Sequence, residues 1–186
     1  MWNYQRNLLY PVCITKPNLD YAKYLVTAIG SYTGELGAAL RYLNQADTMP
    51  TVEGKALLTD IGTEEIAHVE ILSEMIRQLT KNVSIDKIKE SKLLENYVDH
   101  GSSFVPTDAS GNPFSITYYA STGDFISDLY EDLAAEQKAR TMYEHLMDIT
   151  NDEEILAPLS FLRQREIIHF NRFKELLEKY KKQFSK

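Results

Sequence analysis

Thr63-Glu64-Glu65-Ile66-Ala67-His68-Val69-Glu70 sets a glutamate three residues before a histidine, and Arg165-Glu166-Ile167-Ile168-His169 repeats the spacing in the second half of the chain. Side chains three apart are neighbours on a helix surface, so each motif turns a carboxylate and an imidazole the same way. A further glutamate precedes each at equal distance: Glu35 stands 30 residues before Glu65, and Glu136 stands 30 before Glu166. Read as four helices, the chain points four carboxylates and two imidazoles at one interior. That is the side-chain set with which a four-helix bundle holds two metal ions.

The surrounding pattern fits helices. Leu58, Ile61, Glu65, His68, Leu72 and Met75 or Ile76 form one stripe at spacings of three and four, within a helix predicted over about 51–79. Leu159, Leu162, Glu166, His169, Phe173 and Leu177 form another, in a helix opened by Asn151-Asp152-Glu153-Glu154 and crossed early by Pro158. Two titratable residues thus occupy apolar positions in each stripe. An unpaired buried carboxylate costs several kcal/mol, on the order of 2–7, and so needs a cation, a proton or a metal. The alternative is a pair of core histidines hydrogen-bonded to glutamates of their own helices.

The first helix is expected from Asn18 or Asp20 to about Ala46, with Leu25, Ala28, Ile29, Tyr32, Leu36, Ala39 and Leu43 inward. Gly30, Gly34 and Gly37 lie within it. Three glycines so near Glu35 imply close helix packing or room beside a carboxylate. The third helix is expected from Asp124 to about Ile149, with Phe125, Leu129, Leu133, Glu136, Arg140 and Tyr143 on one face. Between the helical pairs, 81–123 carries Gly101, Pro106, Gly111, Pro113 and Gly123 among Ser, Thr and Asn, with a short helix near Ile85–Leu94. A connection this long lets the second and third helices run parallel, and suits an access channel or a subunit contact. Residues 1–17, with Pro11 and Pro17, read as an extended arm packing on a neighbour. The fold class predicted is all-α: a ferritin-like four-helix bundle with a long crossover between helices 2 and 3, forming one domain over 1–186.

A net charge of −7, with no basic stripe before the last 15 residues, argues against nucleic acid. The single cysteine, Cys13, excludes an internal disulfide and any thiolate metal cluster within one chain. The start, Met-Trp-Asn-Tyr-Gln-Arg, has no secretory pattern, and no run approaches the ~20 apolar residues of a membrane span. An intracellular protein, neither secreted nor membrane-bound, is expected. His100 and His145 lack a partnering glutamate and read as surface residues. Glu64, Glu70, Glu131, Asp132 and Glu144 are expected on solvated faces. Glu64, four before His68, is the one rival to Glu65. Tyr42, two turns beyond Glu35, is a candidate to hydrogen-bond a ligand carboxylate.

The runs Gly34-Glu35-Leu36 and Ala39-Leu40-Arg41-Tyr42-Leu43, the block Leu57-Leu58-Thr59-Asp60-Ile61-Gly62-Thr63-Glu64-Glu65-Ile66-Ala67-His68, and Arg165-Glu166-Ile167-Ile168-His169 resemble manganese catalases. The match is nearest to the short spore-coat members and extends to Tyr10-Pro11-Val12 and Tyr97-Val98-Asp99-His100. The resemblance implies that Glu35 and His68 bind one manganese, Glu136 and His169 the other, and that Glu65 bridges them. Glu166 would stand just outside as proton acceptor and donor. The implied reaction is disproportionation of hydrogen peroxide, in a homo-oligomer assembled with other coat proteins. This sequence departs from longer members, which carry a C-terminal extension, and from those with a basic residue where Ala135 stands. Carboxylate and imidazole suit iron as well as manganese. A coat protein whose metal stabilises the fold, and a di-iron oxidase or iron-storage bundle, are the competing readings.

Overall fold

The computed structural model describes residues 7–91, 93 and 107–184. Six α-helices follow in order: α1 (Leu19–Gly30), α2 (Glu35–Gln45), α3 (Val52–Leu79), α4 (Ile85–Glu90), α5 (Phe125–Asp148) and α6 (Glu153–Gln183). The described residues contain no β-strand, only an isolated bridge between Thr107 and Pro113. α2 with α3 and α5 with α6 form the two helical pairs, α1 continuing the first position, as in a ferritin-like bundle. No helix among the described residues is long and apolar enough to cross a membrane.

Capping residues start the helices close to where the sequence puts them. Thr51 accepts from the Gly54 amide, Asp124 from Ser127 and Asp152 from Glu154, each satisfying an orphan N–H of a first turn. Asn18, not Asp20, caps α1 by accepting from the Tyr21 amide. α6 runs continuously through Pro158. The short helix in the crossover ends at Glu90, before Leu94. The expectations for His100, Gly101, Pro106 and the Tyr97–His100 run lie outside the described residues.

One helix expected over 18–46 is two. The Ser31 hydroxyl accepts from the Thr33 amide, and the Gly34 amide donates to the Ser31 carbonyl, forming a turn before Glu35. Side-chain competition of this kind is why Ser and Thr end helices. The break resets the helical phase, so Tyr32 points outward and is 63% exposed, against the inward position expected. Gly34 is required here by close approach: a Cβ on it would lie 2.6 Å from the Ile29 carbonyl oxygen. Gly34→Ala is therefore expected to cost about 1–3 kcal/mol, the range for overpacking against atoms that cannot yield. A urea midpoint equal to that of the parent chain would show the turn relaxing freely.

The described part of the N-terminal arm packs on its own chain. Gln78 of α3 donates to the Val12 carbonyl and accepts from the Ile14 amide, Glu154 of α6 accepts from Thr15, and Tyr10 stacks on Phe161. Cys13 is exposed and unpaired. The end of the crossover is fastened by Arg41, buried in α2, whose guanidinium donates to the carbonyls of Tyr118 (2.6 Å) and Tyr119 (3.0 Å).

Two apolar clusters divide the interior. One holds Leu25, Ile29, Ile71, Leu72, Met75 and Leu162; the other holds Leu58, Ile61, Leu129, Phe173, Leu177 and Tyr180. Each such fully buried side chain contributes about 1.5–3 kcal/mol. In sequence, the polar residues of the two motifs fall between these layers, so the bundle is greasy above and below a polar waist.

Candidate metal centre

That waist is made of the six residues the sequence singles out. Glu35, Glu65, His68, Glu136, Glu166 and His169 are all buried, none more than 2% exposed. Glu35 enters from the first turn of α2, Glu65 and His68 from mid-α3, Glu136 from mid-α5, and Glu166 and His169 from mid-α6. Two overlapping quartets offer ligand atoms within 4.8 Å of one another: Glu35, Glu65, His68 and Glu166, and Glu65, Glu136, Glu166 and His169. Glu65 lies between the halves, one oxygen 2.6 Å from His68 Nδ1 and the other 2.8 Å from His169 Nδ1. Glu35 Oε2 is 3.7 Å from His68 Nδ1, and Glu136 Oε2 is 3.6 Å from His169 Nδ1. The imidazoles face each other at 5.6 Å and 20°.

Seven inward atoms form no aligned hydrogen bond, the Glu65 oxygens and the imidazoles meeting only as close opposite charges: Glu35 Oε2, both Glu65 oxygens, Glu136 Oε2, Glu166 Oε1 and the Nδ1 of His68 and His169. Buried polar atoms are almost always satisfied, so a converging set of orphans that are all ligand types fits metal ions. The cluster is able to hold them.

Without cations, protons balance the charge. Burial, then the neighbouring Glu65 charge, pushes Glu35 up to about 7. Burial, then Glu35, Glu65 and Glu136, pushes Glu166 well above the usual carboxylate range. Burial alone would raise Glu65 too, but His169 and His68 outweigh it and hold that carboxylate well below the usual range. Burial would lower His169, yet Glu65 and then Glu136 push it up to about 12. A carboxyl with a raised pKa binds more protons folded than unfolded. Its stabilisation is complete below 4.5 and is lost as pH rises through about 7. The raised imidazole acts in the same direction, losing its contribution between 6.5 and about 12. The lowered carboxylates contribute fully throughout that window. The metal-free protein is therefore expected to melt roughly 5–10 °C lower at the top of the 4.5–7 window than at its foot, at about 2–4 °C per kcal/mol. Thermal melts by circular dichroism across that pH series check it; a flat or rising Tm would mean that protons do not stand in for cations.

Two tyrosines clamp the outer carboxylate oxygens crosswise. Tyr42, seven residues after Glu35, donates to Glu136, while Tyr143, seven after Glu136, donates to Glu35. Burial, then the carboxylate each one faces, keeps both phenols protonated and donating. Tyr42 thus bonds the glutamate of the opposite half rather than its own neighbour. Tyr143, expected on the face of Glu136, has only that matching offset of seven in the sequence to mark its role.

Asp132, expected in solvent, is fully buried. It stands one turn before Glu136 and shares its inward face. Its carboxyl is pushed well up by burial, against the opposing charge of Arg41. Asp128, one turn earlier, is buried too and accepts from the Thr122 amide and hydroxyl and the Gly123 amide. The inward face of α5 is accordingly Asp128, Leu129, Asp132, Ala135, Glu136, Ala139, Tyr143 and Leu146. Arg140 points away, toward Glu144, and His145 is exposed as expected. Glu64 is only 17% exposed and pairs with Arg165.

A helical bundle with a buried, two-halved carboxylate–histidine cluster able to hold metal ions defines a class of metalloproteins. Comparison with known proteins narrows it. The family of manganese containing catalase matches residues 1–186, and the chain belongs to that family. It is 46% identical to Protein CotJC of Bacillus subtilis over 186 residues, covering all of this chain and 98% of that one. It is 34% identical to a probable manganese catalase of Clostridium acetobutylicum, covering all of this chain and 83% of the relative. The crystal structure of KatB, a manganese catalase from Anabaena PCC7120, superposes with a TM-score of 0.88 at 32% identity, covering 96% of this chain and 80% of that one.

Proposed function

We propose that the chain, acting as one domain over 1–186, disproportionates hydrogen peroxide to water and oxygen at a dimanganese centre. The observation that carries the reading is the converging set of orphaned, buried ligand atoms, in a chain of this family. Glu35 and His68 would hold one ion, Glu136 and His169 the other, and Glu65, with one oxygen toward each imidazole, would bridge. Manganese supplies the two-electron change by which one peroxide is oxidised to dioxygen and the next is reduced to water.

The chain's own groups do the rest. The apolar layers exclude bulk water and leave the carboxylates no competing solvent. Tyr42 and Tyr143 fix the outer glutamates by donating to their far oxygens. Glu166, buried beside the cluster, accepts one of the two protons of the peroxide that is oxidised and returns it to the one that is reduced. The motifs shared with short spore-coat members and the similarity to Protein CotJC support a place in the spore coat as a homo-oligomer.

The test is oxygen evolution from peroxide by purified protein with its metals measured. Two manganese per chain and sustained evolution are expected. Two manganese without turnover would make it a coat protein with a structural site, and many iron atoms per chain would make it a storage bundle.

A further inference from the structure

One carboxylate faces the far nitrogens of both imidazoles. Glu64 Oε1 lies 3.6 Å from His68 Nε2, and Glu64 Oε2 lies 3.3 Å from His169 Nε2. The Nδ1 of each ring points the opposite way, at Glu65. The stacked rings therefore sit between two carboxylates adjacent in sequence, Glu65 inside and Glu64 outside. Both Nε2 atoms are buried and lack a hydrogen-bond partner. The contact to His169 is just beyond hydrogen-bond length and that to His68 a few tenths of an ångström longer.

Glu64 is itself held. Arg165, on α6, donates from Nε to Oε1 and from Nη2 to Oε2 at 3.1 Å, the two-pronged fork that suits guanidinium and carboxylate. The pair follows from the repeat. Glu64 stands immediately before Glu65, and Arg165 immediately before Glu166. The two halves match in residue type at each of the glutamate and histidine positions but differ in charge at this one, and that difference makes the fork. A carboxylate has two oxygens, enough to serve one ring each while the guanidinium satisfies the remaining lone pairs.

We propose that Glu64, oriented by Arg165, is a positioning residue shared by both halves: it accepts the Nε2–H of His68 and of His169, so that both bare Nδ1 atoms are presented inward. A neutral imidazole carries one N–H, and the partner of one nitrogen decides which nitrogen is free to ligate. The proposal rests on reading the cluster as a dinuclear centre.

A competing role is a plain cross-link between α3 and α6. Asp60 and Arg172 supply the control, since they join the same two helices at 2.6 Å and neither is hydrogen-bonded or ion-paired to an imidazole. The experiment titrates Mn(II) into metal-free parent protein, Glu64→Gln and Asp60→Asn, following the ions by electron paramagnetic resonance, with metal-free Tm measured alongside. Glu64→Gln offers one acceptor oxygen where two rings need one each. Its Mn(II) affinity is expected to fall about 10–100-fold, the usual cost of losing a partner behind a ligating histidine, with an altered coupled signal. Asp60→Asn is expected to bind as the parent does, and Arg165→Lys, which keeps charge but loses the fork, to fall between. Parent-like affinity and signal in Glu64→Gln would overturn the proposal, as would equal losses in Glu64→Gln and Asp60→Asn. A parent protein that binds no Mn(II) would instead overturn the dinuclear reading beneath it.

Discussion

Glu65→Gln is expected to empty the centre: manganese falls from two per chain to near none, and oxygen evolution drops to that of free manganese in buffer. The geometry gives the reason. Glu65 is the only carboxylate among the described residues with one oxygen within 3 Å of each Nδ1, at 2.6 and 2.8 Å, so both halves lose a ligand in one substitution. The loss should exceed the ~10–100-fold in affinity that follows removal of a partner behind a ligand. His68→Ala removes a donor from one half and is expected to retain at most one ion. Glu65→Ala adds a second penalty. In the metal-free chain Glu65 is the anion that both imidazoles lean on, and breaking a buried pair costs about 3–5 kcal/mol. The amide variant keeps the volume and separates metal loss from unfolding. Metal analysis and an oxygen electrode on folded Glu65→Gln decide it; two bound ions with parent-like turnover would remove Glu65 from the centre.

The legible parts of the chain are those where one period runs unbroken. α3 and α6 are 28 and 31 residues long, and every inward position expected for them is buried, titratable ones included. The failures have local causes. Across Ser31-Tyr32-Thr33-Gly34 the apolar spacing happens to continue although the backbone does not, and the turn rests on hydroxyls whose partners are only a few residues away. Periodicity is blind to that. Aspartate is seldom fully buried, and that tendency alone puts Asp132 in solvent. Its position one turn before Glu136 outweighs that tendency, and the run Asp128, Asp132, Glu136 at steps of four was the signal available. Leu133 packs against the second apolar cluster as its spacing predicts, whereas Arg140, expected on the same face, turns to Glu144, and Ala135 and Ala139 take the close-packed positions. The inward place of Tyr143 is legible from spacing, and its role from the seven-residue offset it shares with Tyr42. The crossed pairing of the two tyrosines could not, because it depends on how the two helical pairs face each other.

Glu166→Gln is expected to keep the ions and lose the rate. The two halves of the chain are formally equivalent, so Glu166 stands in α6 where Glu65 stands in α3, yet their surroundings differ. Glu65 touches both imidazoles and is held anionic by them; Glu166 Oε1 is 3.7 Å from His68 Nδ1 and is pushed well up by burial and by three neighbouring carboxylates. Buried beside the cluster but not set between the two imidazoles, Glu166 is placed to exchange a proton with peroxide, which is what a shuttle between the oxidised and the reduced peroxide requires. The amide preserves shape and hydrogen bonding but cannot carry the proton, and turnover should fall by about 10²–10⁴-fold, the usual worth of a positioned acid–base group. Manganese content should stay at two per chain, with Mn(II) affinity within about tenfold of the parent, less than loss of a ligand costs. The result that would sink this assignment is specific. Glu166 belongs to both quartets of converging ligand atoms, so if Glu166→Gln releases an ion, Glu166 is itself a ligand, the two halves are chemically as well as formally alike, and the proton must travel by another group.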